Sequence, residues 1–245
     1  MKNKVKIIIL AAGLGKRMQS NNPKVLTEIR AKRMIEHLRD TILKVQTEKP
    51  VAVIGYKAEL VKAELGDSFV YVVQEEQLGT AHAVMMAEQA CKDAENIMVL
   101  YGDQPFIKNE TIKNILKKHS DSGVKITFAT TEVPNFDTWY RVFSTFARIL
   151  RDNDEIIGIR EYKDSNESEK NIKELNAGCY AFNAKWLWEN LKKIKNHNSQ
   201  NEYYLTDLLP LALANHDKIE SVKIDPKEAI GINSKEELEI LEKFA

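Results

Sequence analysis

The stretch from Leu10 to Lys24, LAAGLGKRMQSNNPK, sets two glycines, an arginine and two lysines directly behind the apolar run Val5–Leu10. A glycine turn after a parallel strand lets backbone N–H groups converge on phosphate oxygens at the start of a helix. Arg17 and Lys24 lie close enough in sequence to reach the same anion. Each opposite-charge pair ~4 Å apart is worth about 1 kcal/mol in water and about 4 at an effective dielectric of 20. Two common phosphate binders are excluded. A Walker loop needs glycine five positions before Gly15 and Ser or Thr after Lys16, where this chain has Leu10 and Arg17. A dinucleotide fingerprint needs Gly or Ala where Met18 stands, and an acidic ribose ligand that is not at the right distance. Taken alone, the loop is either an anion cradle or an ordinary strand-to-helix turn with solvated cations.

A cradle of this kind needs a strand that ends at the loop and further elements to hold it. Short β-branched runs at Val5–Leu10, Val51–Ile54, Phe69–Val73, Ile97–Tyr101, Ile126–Thr130, Ile149–Leu150 and Ile156–Ile159 predict strands. The first four are nearly all apolar, the pattern of strands covered on both faces. Between them, Ile35, Leu38, Ile42 and Val45 mark one helical stripe, and Thr80, Val84, Ala87 and Cys91 another. Strand, helix, strand at this spacing predicts right-handed βαβ units, hence an α/β fold with a mostly parallel sheet and helices on both faces. From Thr131 the rhythm changes, and Asp152-Asn-Asp-Glu155 predicts a hairpin turn between two strands. Asp164–Lys170 reads as a solvated charged loop, and Ser234 as the N-cap of a tail helix presenting Leu238, Leu241 and Phe244. The expected organisation is one domain over 1–245, with halves 1–130 and 131–233 and a C-terminal helix at 234–245.

Composition narrows the partners. Lys plus Arg and Asp plus Glu number 36 each, so no global field favours nucleic acid or an anionic membrane. Cys91 and Cys179 stand far apart without a C-x-x-C pair, which argues against zinc and a disulfide framework and fits a reducing, cytoplasmic setting. Lys2, Lys4 and the following apolar run imitate a signal peptide, but glycines and charge follow too soon. No stretch approaches the length of a membrane span.

The motif L-x-x-G-x-G-x-R-M…P-K, from Leu10 through Pro23 and Lys24, resembles the signature of the sugar-phosphate nucleotidyltransferases. Gln74-Glu-Glu-Gln-Leu-Gly-Thr-Ala-His82, Tyr101-Gly-Asp103, Asn176-Ala-Gly-Cys-Tyr180, Asn201-Glu-Tyr-Tyr-Leu-Thr-Asp207 and Gly231-Ile-Asn233 resemble, in order, the uridylyltransferase domains of bacterial bifunctional enzymes that make UDP-N-acetylglucosamine. The resemblance implies a Rossmann-like fold with an acceptor-side β subregion. It also implies UMP transfer from UTP to N-acetylglucosamine 1-phosphate with Mg²⁺ as cofactor. In that scheme Leu10, Ala11, Ala12, Gly13, Gly15, Tyr101 and Gly102 line the nucleotide, and Arg17 and Lys24 are the catalytic cations. Gln74, Gly79 and Thr80 read the base; an amide offers a donor and an acceptor matching uracil O4 and N3–H and mismatching cytosine. Asp103 and Asn233 are the implied metal ligands. Glu161, Asn176, Glu202, Tyr204 and Thr206 are the implied sugar-binding residues. The five histidines are spectators, with His82 assigned to packing or capping.

The pattern departs from the family in two places. Relatives carry Y-G-R-I before the hairpin, where this chain has Phe146-Ala-Arg-Ile149 behind an insertion at Phe136–Thr145. A methyl at Ala147, where backbone approaches the sugar, reshapes that pocket. The hexapeptide repeats of the bifunctional enzymes are missing, so the expectation is no acetylation and no inherited trimer. Another sugar phosphate, a dTTP donor, or a non-catalytic sugar-nucleotide sensor remain open from sequence, although a sensor would be expected to lose the phosphate cations or metal ligands that are all present here.

Overall fold

A computed structural model describes residues 4–15, 18, 22–198 and 200–243. Among these, nine strands form one sheet. Strand β1 (Val5–Ala11) lies near its middle; Ile7 and Ile9 pack on one face and Ile8 on the other, as a two-residue period requires. Strands β2 (Val51–Ile54) and β3 (Val70–Val73) continue in parallel on one side of β1, and β4 (Asn96–Tyr101) lies parallel on the other. Then follow β5 (Ile126–Glu132), the hairpin β6 (Arg148–Asp152) and β7 (Glu155–Arg160), β8 (Glu174–Asn183) and β9 (Ile219–Ile224). The spatial order is β9-β5-β8-β4-β1-β2-β3, with the β6–β7 hairpin attached to β8. Strand β8 runs antiparallel to both β4 and β5, which makes the sheet mixed.

Helices cover both faces. α1 (Met34–Leu43), α2 (Ala58–Leu65), α4 (Asn109–Ser122) and α7 (Lys235–Glu242) pack on the face of Ile7 and Ile9. α3 (Thr80–Met86), α5 (Ala184–Leu191) and α6 (Leu208–Ala214) pack on the face of Ile8. The mostly parallel α/β architecture expected from the spacing is therefore present. Ile35, Leu38 and Ile42 are fully buried along α1. Ala87 and Cys91 lie past the end of α3 yet are equally buried. The hairpin turn is also in place, with Asp152 pairing Glu155 and Asn153 in the left-handed region.

Two expectations are corrected, and further elements are added. β3 is not covered on both faces: it is the edge strand, paired only with β2, and Val70 and Val73 are 44% and 37% exposed. β8, β9, α2, α4, α5 and α6 carry no expectation from the sequence; in β8 the register breaks between Asn176 and Tyr180, where Gly178 and Cys179 both take positive φ and interrupt the alternation. The charged loop winds into a helical turn, Glu167–Lys170, whose Asn166 side chain accepts from the Glu169 N–H. The change of rhythm near Thr131 falls inside β5. Ser234 does cap α7 by accepting from Glu237 N, and Ile240 and Leu241 bury its inner face; Phe244 lies outside the described residues. No helix among the described residues is long and apolar enough to cross a membrane.

Buried His119 on α4 shares a 3.1 Å hydrogen bond with Thr127 of β5. Burial lowers its pKa from 6.5 to about 4. The unfolded chain thus binds a proton that the native state refuses, so this contribution is full above pH ~6.5 and is lost as pH falls toward 4. At 1.36 kcal/mol per unit, the loss amounts to about 3 kcal/mol. Urea unfolding of wild type and His119→Gln between pH 7 and 4 should show a flatter pH dependence in the variant. Parallel curves would remove His119 from the acid response.

Candidate active site

The carboxyl ends of β1 and β4 open onto one cleft, where parallel strands present ligands. β1 ends on buried Ala11, and the loop leaving it runs through buried Ala12 into Gly13, where an added Cβ would meet nothing within 4 Å. Gly15 takes φ +59°, and a Cβ there would come within 3.1 Å of the Lys24 Cβ. Gly102 N–H donates to the Leu10 carbonyl at 2.9 Å, and a Cβ on Gly102 would collide with that same oxygen. The glycines therefore allow the β1 loop, the β4 end and Lys24 to touch. Arg17 lies outside the described residues.

Lys24 closes the cleft floor. Its Nζ donates to Asp103 Oδ2 at 2.7 Å and to Asn233 Oδ1 at 2.8 Å. Both partners are held from behind: Ile232 N–H donates to the Asp103 carbonyl at 2.9 Å, and Asn233 Nδ2 donates to the Gly231 carbonyl at 3.3 Å, turning Oδ1 toward the lysine. A carboxylate and an amide oxygen thus converge on one cation, which is the hard-oxygen donor set that Mg²⁺ accepts. Among the described residues, no group of three or more His, Cys, Asp or Glu side chains could hold a metal. A divalent ion on Asp103 and Asn233 would take its other ligands from water and phosphate.

Next to this floor lies a cavity of about 230 Å³, bounded by Tyr101, Asp103, Glu161, Asn176 and Asn233 together with Thr145, Phe146 and Ala147. Asn176 Nδ2 donates to the Tyr180 hydroxyl at 2.6 Å, and the rings of Tyr180 and Tyr101 meet edge to face with centroids 6.5 Å apart. Thr80 Oγ1 accepts from Leu205 N at 2.9 Å. Burial raises the pKa of both tyrosines, so each stays a neutral hydroxyl. Burial likewise raises that of Glu161, opposed by a 3.0 Å hydrogen bond from Thr206 Oγ1.

The other expected residues divide. Gln74 is 3% exposed, and its Nε2 donates to the Gly79 carbonyl at 3.1 Å. Gly79 takes φ +108°, and a Cβ there would lie 2.5 Å from the Tyr203 carbonyl, so only glycine lets this loop dock on the 203–205 segment. Glu202 lies beside Gly79 and outside the 230 Å³ cavity. Tyr204 faces a neighbouring cavity of about 330 Å³ with Glu161, Asp164, His197 and Asp207, and its hydroxyl donates to Gln200. Asp207 there is raised to about 6 by burial and by the Glu161 charge.

Three residues without an assigned role in the sequence matter to the site. Tyr180 stood inside a quoted motif, but only the bulge in β8 aims it at Asn176. Gln104 donates to the carbonyls of Ala177 and Ala229 at 2.9 and 3.1 Å, clamping β8 to the loop that leads into Asn233. Arg148 is 1% exposed and meets no carboxylate among the described residues; it lies between the rings of Phe136 and Tyr162 and donates to the carbonyls of Ser144, Phe146 and Lys170. It thereby fixes the cavity wall that carries Ala147, and nothing local in the sequence predicts its burial. Arg141, within the inserted segment, pairs with Glu236 of α7.

Residues 7–156 match the family of MobA-like NTP transferase domains. The bifunctional protein GlmU of Acetivibrio thermocellus is 39% identical over 94% of this chain and 49% of its own length. That of Streptococcus mutans is 41% identical over 96% and 50%, and that of Desulfotalea psychrophila 37% over 96% and 69%. The chain thus spans about half the length of the first two of these curated relatives. Among solved structures, a chain assigned as a glucose-1-phosphate thymidylyltransferase of Bacillus anthracis, in complex with sucrose, superposes with a TM-score of 0.78 at 21% identity, covering 98% of this chain and 95% of that one. A CMP:2-keto-3-deoxy-manno-octonic acid synthetase with CTP gives 0.69 at 16%, over 99% and 98%. At such identities these two structures speak for the fold alone.

Proposed function

This chain belongs to the family of MobA-like NTP transferase domains, and from that premise we propose that it transfers UMP from UTP to N-acetylglucosamine 1-phosphate, releasing pyrophosphate. The observation that carries the reading is the convergence of Asp103 Oδ2 and Asn233 Oδ1 on the Lys24 ammonium beside a glycine loop. A site for phosphates needs a cation and hard oxygens within reach of one another, and these meet where β4 ends, beside the loop that leaves β1.

The chemistry needs no nucleophilic side chain. A sugar 1-phosphate has a second pKa near ~6 and is mostly dianionic at neutral pH. One of its oxygens attacks the α-phosphorus of UTP; the bond from that phosphorus to the β-bridging oxygen breaks, and its electron pair leaves with pyrophosphate. Lys24 and Arg17 neutralise charge on the phosphates. Asp103 and Asn233 would hold Mg²⁺, which when bound supplies further neutralisation of the same oxygens. Gln74, Gly79 and Thr80 face the base, while Glu161, Asn176 and Thr206 orient the sugar hydroxyls. Glu202 and Tyr204 extend this acceptor side.

Ala147 favours a second acceptor reading. Ala147 lies in the wall of the 230 Å³ cavity at a position where the family motif has glycine, and its methyl is an added group there. On this second reading a different hexose 1-phosphate, with a smaller substituent at that point, would be preferred over N-acetylglucosamine 1-phosphate. Pyrophosphate release, measured over UTP, dTTP, CTP and a panel of sugar 1-phosphates with and without Mg²⁺, tests both. UTP with N-acetylglucosamine 1-phosphate should be the best pair; a better hexose would move the acceptor assignment. No release with any pair would leave the protein a binding module.

A further inference from the structure

Gln74 is held at two points. Its amide nitrogen donates to the Gly79 carbonyl at 3.1 Å and lies 2.9 Å from His82 Nδ1. A side-chain amide nitrogen can only donate, so His82 Nδ1 accepts, and the neutral ring carries its proton on Nε2. Both amide hydrogens are then used within the protein. Among the described residues no donor reaches Gln74 Oε1. The side chain, 3% exposed, has no room to exchange its ends freely. Gln74 thus offers the cleft an acceptor and no donor, which narrows the two-way matching expected from its residue type.

We propose that His82 is a positioning residue for nucleobase specificity: by accepting from Gln74 Nε2, it keeps the Gln74 carbonyl oxygen turned toward the base. That oxygen welcomes the N3–H shared by uracil and thymine and repels the N3 lone pair of cytosine. The discriminating group is then one lone pair on a fixed amide, and His82 is one of the two groups that fix it. The other is a backbone carbonyl, held by the positive φ of Gly79. His82 lies at the start of α3, two residues beyond the first turn's Thr80, so its imidazole reaches back over the loop to Gln74. A hydroxyl or aliphatic side chain there would leave the amide anchored only through Gly79. The inference rests on Gln74 reading the base, as set out under the proposed function.

The test measures UTP and CTP affinities by calorimetry on the full chain, for wild type and for His82→Leu, His82→Asn and Gln74→Ala. One hydrogen bond is at stake, so His82→Leu should shrink the UTP-over-CTP ratio by roughly five- to tenfold. His82→Asn, whose Oδ1 can replace Nδ1 as acceptor, should keep the ratio within about twofold of wild type. An unchanged ratio in His82→Leu, with Gln74→Ala eroding it, overturns the role of His82 and leaves Gln74 as the base reader. An asparagine variant that erodes as far as leucine assigns the effect to packing and overturns it too. An unchanged ratio in Gln74→Ala instead removes the underlying base-reading role. Should circular dichroism show the leucine variant unfolded, His82→Ser, too short to reach the amide, takes its place with the same expected loss.

Discussion

Replacing Asp103 with alanine should lower turnover by roughly a thousandfold or more while leaving the fold intact. The carboxylate lies at the mouth of β4 with 19% of its side chain exposed, and its neighbours are Lys24 and the Gly231–Asn233 loop. Its backbone carbonyl anchors Ile232, a contact that alanine preserves. What disappears is the negative charge opposite Lys24 and one of the two oxygens positioned for a divalent ion. The lysine ammonium would then rest on Asn233 Oδ1 alone. A part-exposed ion pair contributes little to folding, so thermal unfolding should shift by only a few degrees. Calorimetric titration of Mg²⁺ in the presence of UTP should show the affinity collapse together with kcat. Undiminished turnover, or unchanged metal affinity, would take Asp103 out of the site.

Lys24→Met should have the second largest effect, and its two consequences run in opposite directions. Methionine keeps a long apolar stem against Gly15 but removes the charge. Loss of one preorganised cation costs roughly a hundred- to a thousandfold in turnover. In the free protein, however, Lys24 occupies the point at which Asp103 and Asn233 converge. An ammonium and a divalent cation compete for the same oxygens, so without nucleotide the variant should bind Mg²⁺ or Mn²⁺ more tightly than wild type. Calorimetry with the metal alone reads this directly. Weaker metal binding in Lys24→Met would mean that the lysine supports the metal ligands rather than opposing a metal on them.

The site was legible in the sequence wherever its parts are local. The glycine loop announces itself because glycine adopts the positive φ of Gly15 without strain and allows the close approach of Gly102 to Leu10. The ordering of motifs carried Asp103, Asn176 and Asn233 to one cleft. The partners of each side chain were harder to foresee. Lys24 meets residues 79 and 209 positions away, and Gln104 clamps carbonyls 73 and 125 positions away. His82, eight residues from Gln74, reads from sequence as a packing or capping residue, because its reach to Gln74 depends on the positive-φ turn at Gly79.

Strands β1, β2 and β4 could be read from composition because burial on both faces leaves only apolar residues, a demand each segment meets by itself. The caps at Asn166 and Ser234 and the turn at Asn153 are likewise satisfied within a few residues. The exposed edge of β3, the bulged antiparallel course of β8, the buried carbonyl cage of Arg148 and the acceptor-only face of Gln74 belong to the folded chain. Each depends on which distant backbone lies alongside, and pairing across a sheet is set by the energy of the whole assembly, which no local run of residues encodes.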